Sequence, residues 1–254
     1  MGKIIAISNQ KGGVGKTTTS VNLAASLAAA NRAVLLVDLD PQGNAAMGCG
    51  VDKEAIKYSS YDLLIGAASA EEIELKLADV GFSIIAGNTD LTRAEVELMS
   101  AERKEQRLAD ALAPIKGHYD YILIDCPPSL NVLTLNAMVA ADSVLIPMQC
   151  EYYALEGLSA LMATIKGIQN AVNPKLHLEG ILRTMFDNRS RLTKDVSDQL
   201  LEYFGEKVFR TCVPRNVRLA EAPSHGLPIL LYDRTSRGAL AYLALAGEMI
   251  RKDK

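Results

Sequence analysis

The sequence predicts an α/β protein with a doubly wound, mostly parallel sheet and helices on both faces. Three observations carry that reading. Short, largely apolar runs recur at Ile4–Ile7, Ala33–Leu39, Tyr119–Ile124 and Ser143–Pro147, as expected of strands buried on both faces, and Leu176–Leu182 reads as a later strand. Stretches with helical spacing of apolar residues lie between or after them at 17–30, 131–140, 154–170, 192–204 and 237–251. Breakers such as Asp40-Pro41 and Pro127-Pro128 close the strands.

Taken in order, Ile4–Ile7 ends in polar Ser8–Gln10 and a glycine loop, after which Val21, Ala24, Ala25 and Ala28 mark the buried stripe of a helix. The Ala33–Leu39 run (AVLLVDL) completes a βαβ unit. Tyr119–Ile124 and Ser143–Pro147 are joined by the helix that begins past Pro127-Pro128. The alternating order connects right-handedly. The stretch from Met47 to Asp79 reads as short helices and loops. With no linker, repeat or low-complexity tract, the expectation is one domain over residues 1–254.

The bulk numbers narrow the function classes. At 254 residues and 49% hydrophobic, the chain buries a full core, which excludes disorder. Its formal charge of −3 excludes a wholesale basic nucleic-acid coat, so DNA contact requires a local patch. Zero Trp and 5% aromatic residues disfavour a stacking groove for single strands. Cys49, Cys126, Cys150 and Cys212 are scattered without a C-x-x-C pair, giving neither a zinc ribbon nor a disulfide framework. No apolar run reaches the roughly 18 residues of a membrane span, and Met1–Ser8 reads as a strand, so a cytoplasmic protein is expected.

The chemistry concentrates in Lys11-Gly12-Gly13-Val14-Gly15-Lys16-Thr17-Thr18, between the first strand and first helix. Backbone N–H groups there, with the positive helix end, cradle phosphates. Lys16 is placed to reach the β/γ-phosphates and Thr17 to ligate Mg²⁺. The loop departs from G-x-x-x-x-G-K-[ST], because position 10 is Gln and Lys11 opens the loop instead. Asp125, closing I-L-I-D, has the chemistry of a carboxylate that holds Mg²⁺ through water. Asp38 and Asp40, in V-D-L-D-P-Q-G-N, lie at the same sheet edge, where ligands bind in this architecture. Asp40 is the candidate for orienting the attacking water, with Asp38 supporting the site from behind it.

The segments K-G-G-V-G-K-T-T, V-D-L-D-P-Q-G-N, I-D-C-P-P-S-L, P-M-Q-C-E-Y-Y-A-L-E-G and V-P-R-N-V-R-L-A-E-A-P-S-H-G occur in order over nearly the whole chain. In them the chain resembles the ParA-type chromosome-partitioning ATPases of the short Soj form, within the superfamily with a deviant Walker A loop. The resemblance implies that ATP and Mg²⁺ drive a nucleotide-sandwich homodimer in which Lys11 reaches the partner's phosphates and Gly12 leaves room where the two loops meet. It further implies adenine contacts from Pro214 and Asn216, non-specific binding of double-stranded DNA through Arg189 and Arg218, and hydrolysis stimulated by a ParB-type centromere-binding protein. The location implied is the nucleoid, with no membrane partner.

Between Arg183 and Arg218 the chain carries eight basic residues against five acidic ones, a local reversal of its overall sign. Such a patch binds phosphates without reading bases and is salt-sensitive. The alternatives are a MinD-like membrane ATPase, which calls for a basic amphipathic tail where residues 240–250 instead read as a core-packing helix, and a nucleotide-binding scaffold without turnover. His118, His177 and His225 are too dispersed for a metal triad.

Overall fold

In a computed structural model that describes residues 2–53 and 55–253, a single eight-stranded sheet runs through the chain. The strands are β1 (Lys3–Ile7), β2 (Val34–Asp38), β3 (Leu75–Leu77), β4 (Phe82–Ile85), β5 (Tyr121–Asp125), β6 (Ser143–Gln149), β7 (His177–Phe186) and β8 (Val208–Pro214). The α-helices are α1 (Lys16–Ala29), α2 (Asn44–Met47), α3 (Ser60–Ile65), α4 (Ala70–Ile73), α5 (Leu91–Glu97), α6 (Arg107–Leu112), α7 (Val132–Ala140), α8 (Ala154–Ala171), α9 (Arg191–Phe204), α10 (Val217–Glu221), α11 (Ile229–Tyr232) and α12 (Arg237–Lys252).

Spatial order is β3-β4-β2-β5-β1-β6-β7-β8, and every pairing is parallel except β3 with β4. Strand periodicity then sorts the core into two layers. Ile5, Ile7, Val34, Leu36 and Leu123 face one way, onto α1 and α12, whereas Ile4, Ala6, Leu35, Val37, Ile122 and Ile124 face the other, onto α3 and α5–α9. Each fully buried Val, Leu or Ile side chain among them contributes roughly 1.5–3 kcal/mol. The doubly wound sheet expected from the apolar runs is therefore present. The five expected strands are β1, β2, β5, β6 and β7, while β3, β4 and β8 are additional.

The two-layer split sets up one edge of the sheet. Parallel register places Asp125 opposite both Ile7 and Asp38. Since Leu36 and Leu123 point to the α1 layer, Asp38 and Asp125, two residues further along their strands, point there too. The β1–α1 loop starts beside them.

At the other end of the order, β8 is an edge strand and needs cover for its outer N–H groups. Its register against β7 slips around Arg183, leaving Arg210 and Thr211 outside the regular ladder. Glu248 of α12 accepts from Arg210 N at 2.8 Å, Thr211 N at 3.0 Å and Thr211 Oγ1 at 2.8 Å. Burial works against its charge, but these three donors outweigh it and hold the Glu248 carboxyl below its ordinary range.

Glu248→Ala should therefore cost about 1–3 kcal/mol in urea unfolding, because two backbone donors lose their acceptor. With its folded value depressed, the stability Glu248 supplies is present above the unfolded carboxylate value and is lost as pH falls through the folded one. A variant with wild-type stability, or one whose deficit is the same at pH 7 and at pH 3, would contradict this.

Candidate functional site

The β1–α1 loop folds as its glycines dictate. Gly13 and Gly15 have φ of +73° and +87°, a region that costs a side-chain-bearing residue strain, and Gly15 is the N-cap of α1. The loop is pinned at both ends. Asn9 Nδ2 donates to Pro147 O at 2.8 Å while Asn9 Oδ1 accepts from Lys11 N at 2.9 Å. Thr184 Oγ1, from β7, donates to Val14 O at 2.8 Å in a buried contact. Gly12 lacks that positive φ, and a Cβ there, as at Gly13, would meet nothing within 4 Å in this protomer.

Asp125 is the electrostatic centre. Fully buried, its Oδ2 accepts from Thr17 Oγ1 and its Oδ1 from Ser20 Oγ, both at 2.7 Å. Thr17 and Ser20 are three residues apart on α1 and so share the face turned toward the sheet. Burial pushes the Asp125 carboxyl up to about 6, against these two hydrogen bonds and the Lys16 charge. Lys16 is only 7% exposed; burial pulls its ammonium down from its ordinary value while Asp125 and Asp40 hold it up. Its Nζ faces Lys11 O at 3.4 Å.

Asp38 and Asp40 separate in role. Asp38 Oδ1 accepts from Asp40 N at 3.0 Å, and its Oδ2 accepts from Ala45 N and Ala46 N at 3.0 and 3.2 Å, at the start of α2. Burial, then the nearby Asp125 charge, raises its carboxyl well above the usual range. Asp38 thus ties the β2–α2 loop together and holds the Asp40 backbone. Asp40 uses Oδ1 to accept from Gln42 N at 2.9 Å.

Pro214 and Asn216 line a pocket of about 190 Å³ with Gly15, Thr18, Met185 and Tyr242. The sequence segment V-P-R-N is not a plain loop: Pro214 ends β8, and Asn216 caps α10, its Oδ1 accepting from Leu219 N at 3.2 Å. One lone pair of that oxygen is thereby engaged, and the amide keeps its Nδ2 donors and the second lone pair of Oδ1 for other contacts. Met185, with φ +47°, holds a left-handed backbone at the pocket wall.

The basic cluster is smaller at the surface than its eight residues suggest. Arg183 is buried, donating to Ser197 Oγ and Phe209 O at 2.8 Å each, and Lys207 Nζ donates to Leu178 O at 3.0 Å. Arg183 is thereby removed from the surface patch. Arg189 and Arg215 line one groove with Arg237. Arg189 grips Asp187 with Nε and Nη2 at 3.0 and 2.9 Å, which holds the Asp187 carboxyl well below the usual range. Arg218 pairs with Glu221 at 2.9 Å and Asp233 at 3.5 Å. His225 stacks on Tyr232, centroids 4.9 Å apart, which gives it a packing role. Among the described residues no group of three or more His, Cys, Asp or Glu forms a metal cage, and no helix is long and apolar enough to cross a membrane.

A glycine loop feeding a helix at the carboxyl edge of a parallel sheet, backed by a buried lysine and an aspartate on the adjacent strand, defines a P-loop NTPase domain. A family model described as an AAA domain matches residues 2–178. The chain is 53% identical over 253 residues to the chromosome partitioning protein ParA of Myxococcus xanthus, covering 100% of this chain and 89% of that one. It is also 53% identical to the sporulation initiation inhibitor protein Soj of Bacillus subtilis, covering 98% of each. A Mycobacterium smegmatis structure described as cobyrinic acid a,c-diamide synthase with bound ADP and magnesium superposes with TM-score 0.86 at 36% identity, over 99% of this chain and 95% of that one. The chain belongs to the ParA/Soj family of chromosome-partitioning ATPases.

Ser20, Thr184 and Asn9 escape the sequence reading. Ser20 carries a signal, its i+3 spacing from Thr17; Thr184 carries none, because only β7's register brings it to Val14. Thr184→Val, close in shape but unable to donate, leaves Val14 O buried without its donor and should weaken ATP·Mg²⁺ binding about fivefold to tenfold through a loosened loop, with a stability cost of about 1–3 kcal/mol. Calorimetric titration checks it, and unchanged affinity would mean that Thr184 does not hold the loop.

Proposed function

We propose that this chain is an ATP-dependent partitioning ATPase whose ATP·Mg²⁺-bound homodimer holds double-stranded DNA without reading sequence and lets go after hydrolysis. A ParB-type centromere-binding protein stimulates that hydrolysis, and the protein resides in the cytoplasm on the nucleoid as one domain over residues 1–254. The observation that carries this reading is the separation of the two loop lysines. Lys16 is buried beside Asp125 and Asp40, whereas Lys11 stays at the exposed mouth, ion-paired to Glu151.

The residues divide the work accordingly. Backbone N–H groups of Gly12 to Thr18 cradle the phosphates, with Lys16 against the β/γ-phosphates. The oxygen-only donors Thr17 and Asp125 suit magnesium, the hydroxyl directly and the carboxylate through water. Magnesium, when bound, neutralises charge across the β- and γ-phosphates. Asp40, 9% exposed at the loop that Asp38 ties down, orients the attacking water. Lys11 leaves Glu151 for the partner's phosphates, where a cation stabilises charge developing on transfer. The open space around Gly12 is what close approach of a second loop requires. Pro214 and Asn216 hold adenine.

For DNA, Arg189 and Arg218 supply phosphate contacts, doubled in a dimer. Each is held by carboxylates of its own chain, so DNA phosphates compete with Asp187 and with Glu221 and Asp233. Single-protomer binding is correspondingly weak, and DNA retention depends on the paired patches of the dimer.

Two variants test the assignment. Asp40→Ala should retain the ATP-dependent dimer, by light scattering, yet lose turnover by about 100-fold or more; near-normal phosphate release would remove Asp40 from its role. Arg189→Glu should dimerise with ATP but fail to retain duplex DNA even at low salt, and undiminished retention would move the DNA surface elsewhere.

A further inference from the structure

The turn that joins β6 to α8 carries an aromatic pair for which the fold has no use. Tyr152 and Tyr153 are 75% and 72% exposed, and their rings stack edge to face, centroids 5.0 Å apart and planes at 89°. In a chain with 5% aromatic residues, leaving two adjacent tyrosines in water forgoes some of the largest apolar surfaces it has. Neighbouring Leu145, Ile146 and Met148 of β6 are buried, and so is Leu158 of α8, so the turn itself is anchored. Their mutual contact restricts the two rings before any partner arrives, which lowers the entropy lost on docking.

We infer that Tyr152 and Tyr153 form the aromatic anchor by which one copy of this chain docks on a second copy. This rests on the ATP-dimer reading above and specifies its contact. The placement argues for it. Glu151, the residue before the pair, grips Lys11 of the phosphate loop, so whatever covers the tyrosines lies against the mouth of that loop, beside the open space at Gly12. The charges argue for a second copy in particular. Lys11 and Glu151 present one positive and one negative group side by side, both nearly half exposed. A two-fold-related copy meets both, its bound phosphates taking up Lys11 and its own mixed-sign loop mouth facing Glu151, as an isologous contact allows. A uniformly basic or acidic partner would match only one of the two. Tyrosine is also among the residue types enriched at the anchors of such contacts, with an apolar ring and a hydroxyl that stays satisfied at the rim.

The chain has no tryptophan, so Tyr152→Trp installs a single emission reporter at the patch. With a non-hydrolysable ATP analogue and Mg²⁺, the reporter should shift to the blue and resist acrylamide quenching in step with the rise to dimer mass in light scattering, and ADP should produce neither. The double variant Tyr152→Ala/Tyr153→Ala should raise the dimer dissociation constant by at least about thirtyfold, the loss expected of an interface anchor. Its thermal midpoint and its affinity for ADP should match the wild type, since neither ring packs into the core. A dimer in which the tryptophan stays water-exposed, or a double variant that dimerises like wild type, overturns the inference while leaving the dimer itself intact. A blue shift that comes only when a ParB-type protein is added overturns it too and assigns the pair to that partner. Absence of any ATP-dependent dimer in the unmodified chain would remove the dimer reading and this inference together.

Discussion

The buried carboxylate of Asp125 is the constraint on which the rest of the structure depends. A lone charge taken fully out of water costs several kcal/mol unless compensated, and here a second carboxylate, Asp38, stands opposite it in the strand register. Compensation comes from Thr17, Ser20 and Lys16, all from the start of α1. Helix α1 must therefore begin where it does, and the glycine loop must make its left-handed turns at Gly13 and Gly15 to bring it there. Parallel pairing supplies the other half, since β5 between β1 and β2 is what brings Asp125, Asp38 and the loop to one edge.

That edge is tied to the opposite half of the sheet through β7. Thr184 holds the loop carbonyl of Val14, Met185 lines the pocket assigned to adenine, and Asp187 and Arg189 follow within the same short segment. Phosphate loop, base pocket and basic groove are thus consecutive along a few residues of one chain. The switch proposed for the protein needs no distant wire: occupancy of the pocket acts on the segment that carries Arg189. In the switch proposed here the γ-phosphate biases the dimer because only there do Lys11 and the paired arginine patches act together, a population shift driven by differential contacts.

The five principal strands and the P-loop were legible in the sequence because each depends on local composition: apolar runs between breakers, or a glycine string too specific for an ordinary turn. What was not legible depends on long-range register. Strand β8 carries exposed and half-buried residues beside its buried ones, with Glu248 from a helix some forty residues later covering its outer edge, so it lacks the unbroken apolar signature of a central strand. Arg183 counts as surface charge in a linear reading but turns inward to Ser197 and Phe209. Asp38 and Asp40 were given different roles from the sequence, but not their partners, which follow from α2 starting over Asp38 and claiming its oxygens. Cys49, Cys126 and Cys150 are buried, whereas Cys212 on the edge strand is only half-buried.

The proposed function requires that ATP convert a non-binding protomer into a DNA-retaining dimer. The most direct measurement is retention on duplex DNA with ATP·Mg²⁺, ADP·Mg²⁺ and no nucleotide, at two salt concentrations, with mass followed by light scattering. The account predicts dimer mass and salt-sensitive retention with ATP alone, the loss steepening with the number of phosphates neutralised. A dimer that ignores DNA, or retention indifferent to nucleotide, would contradict it.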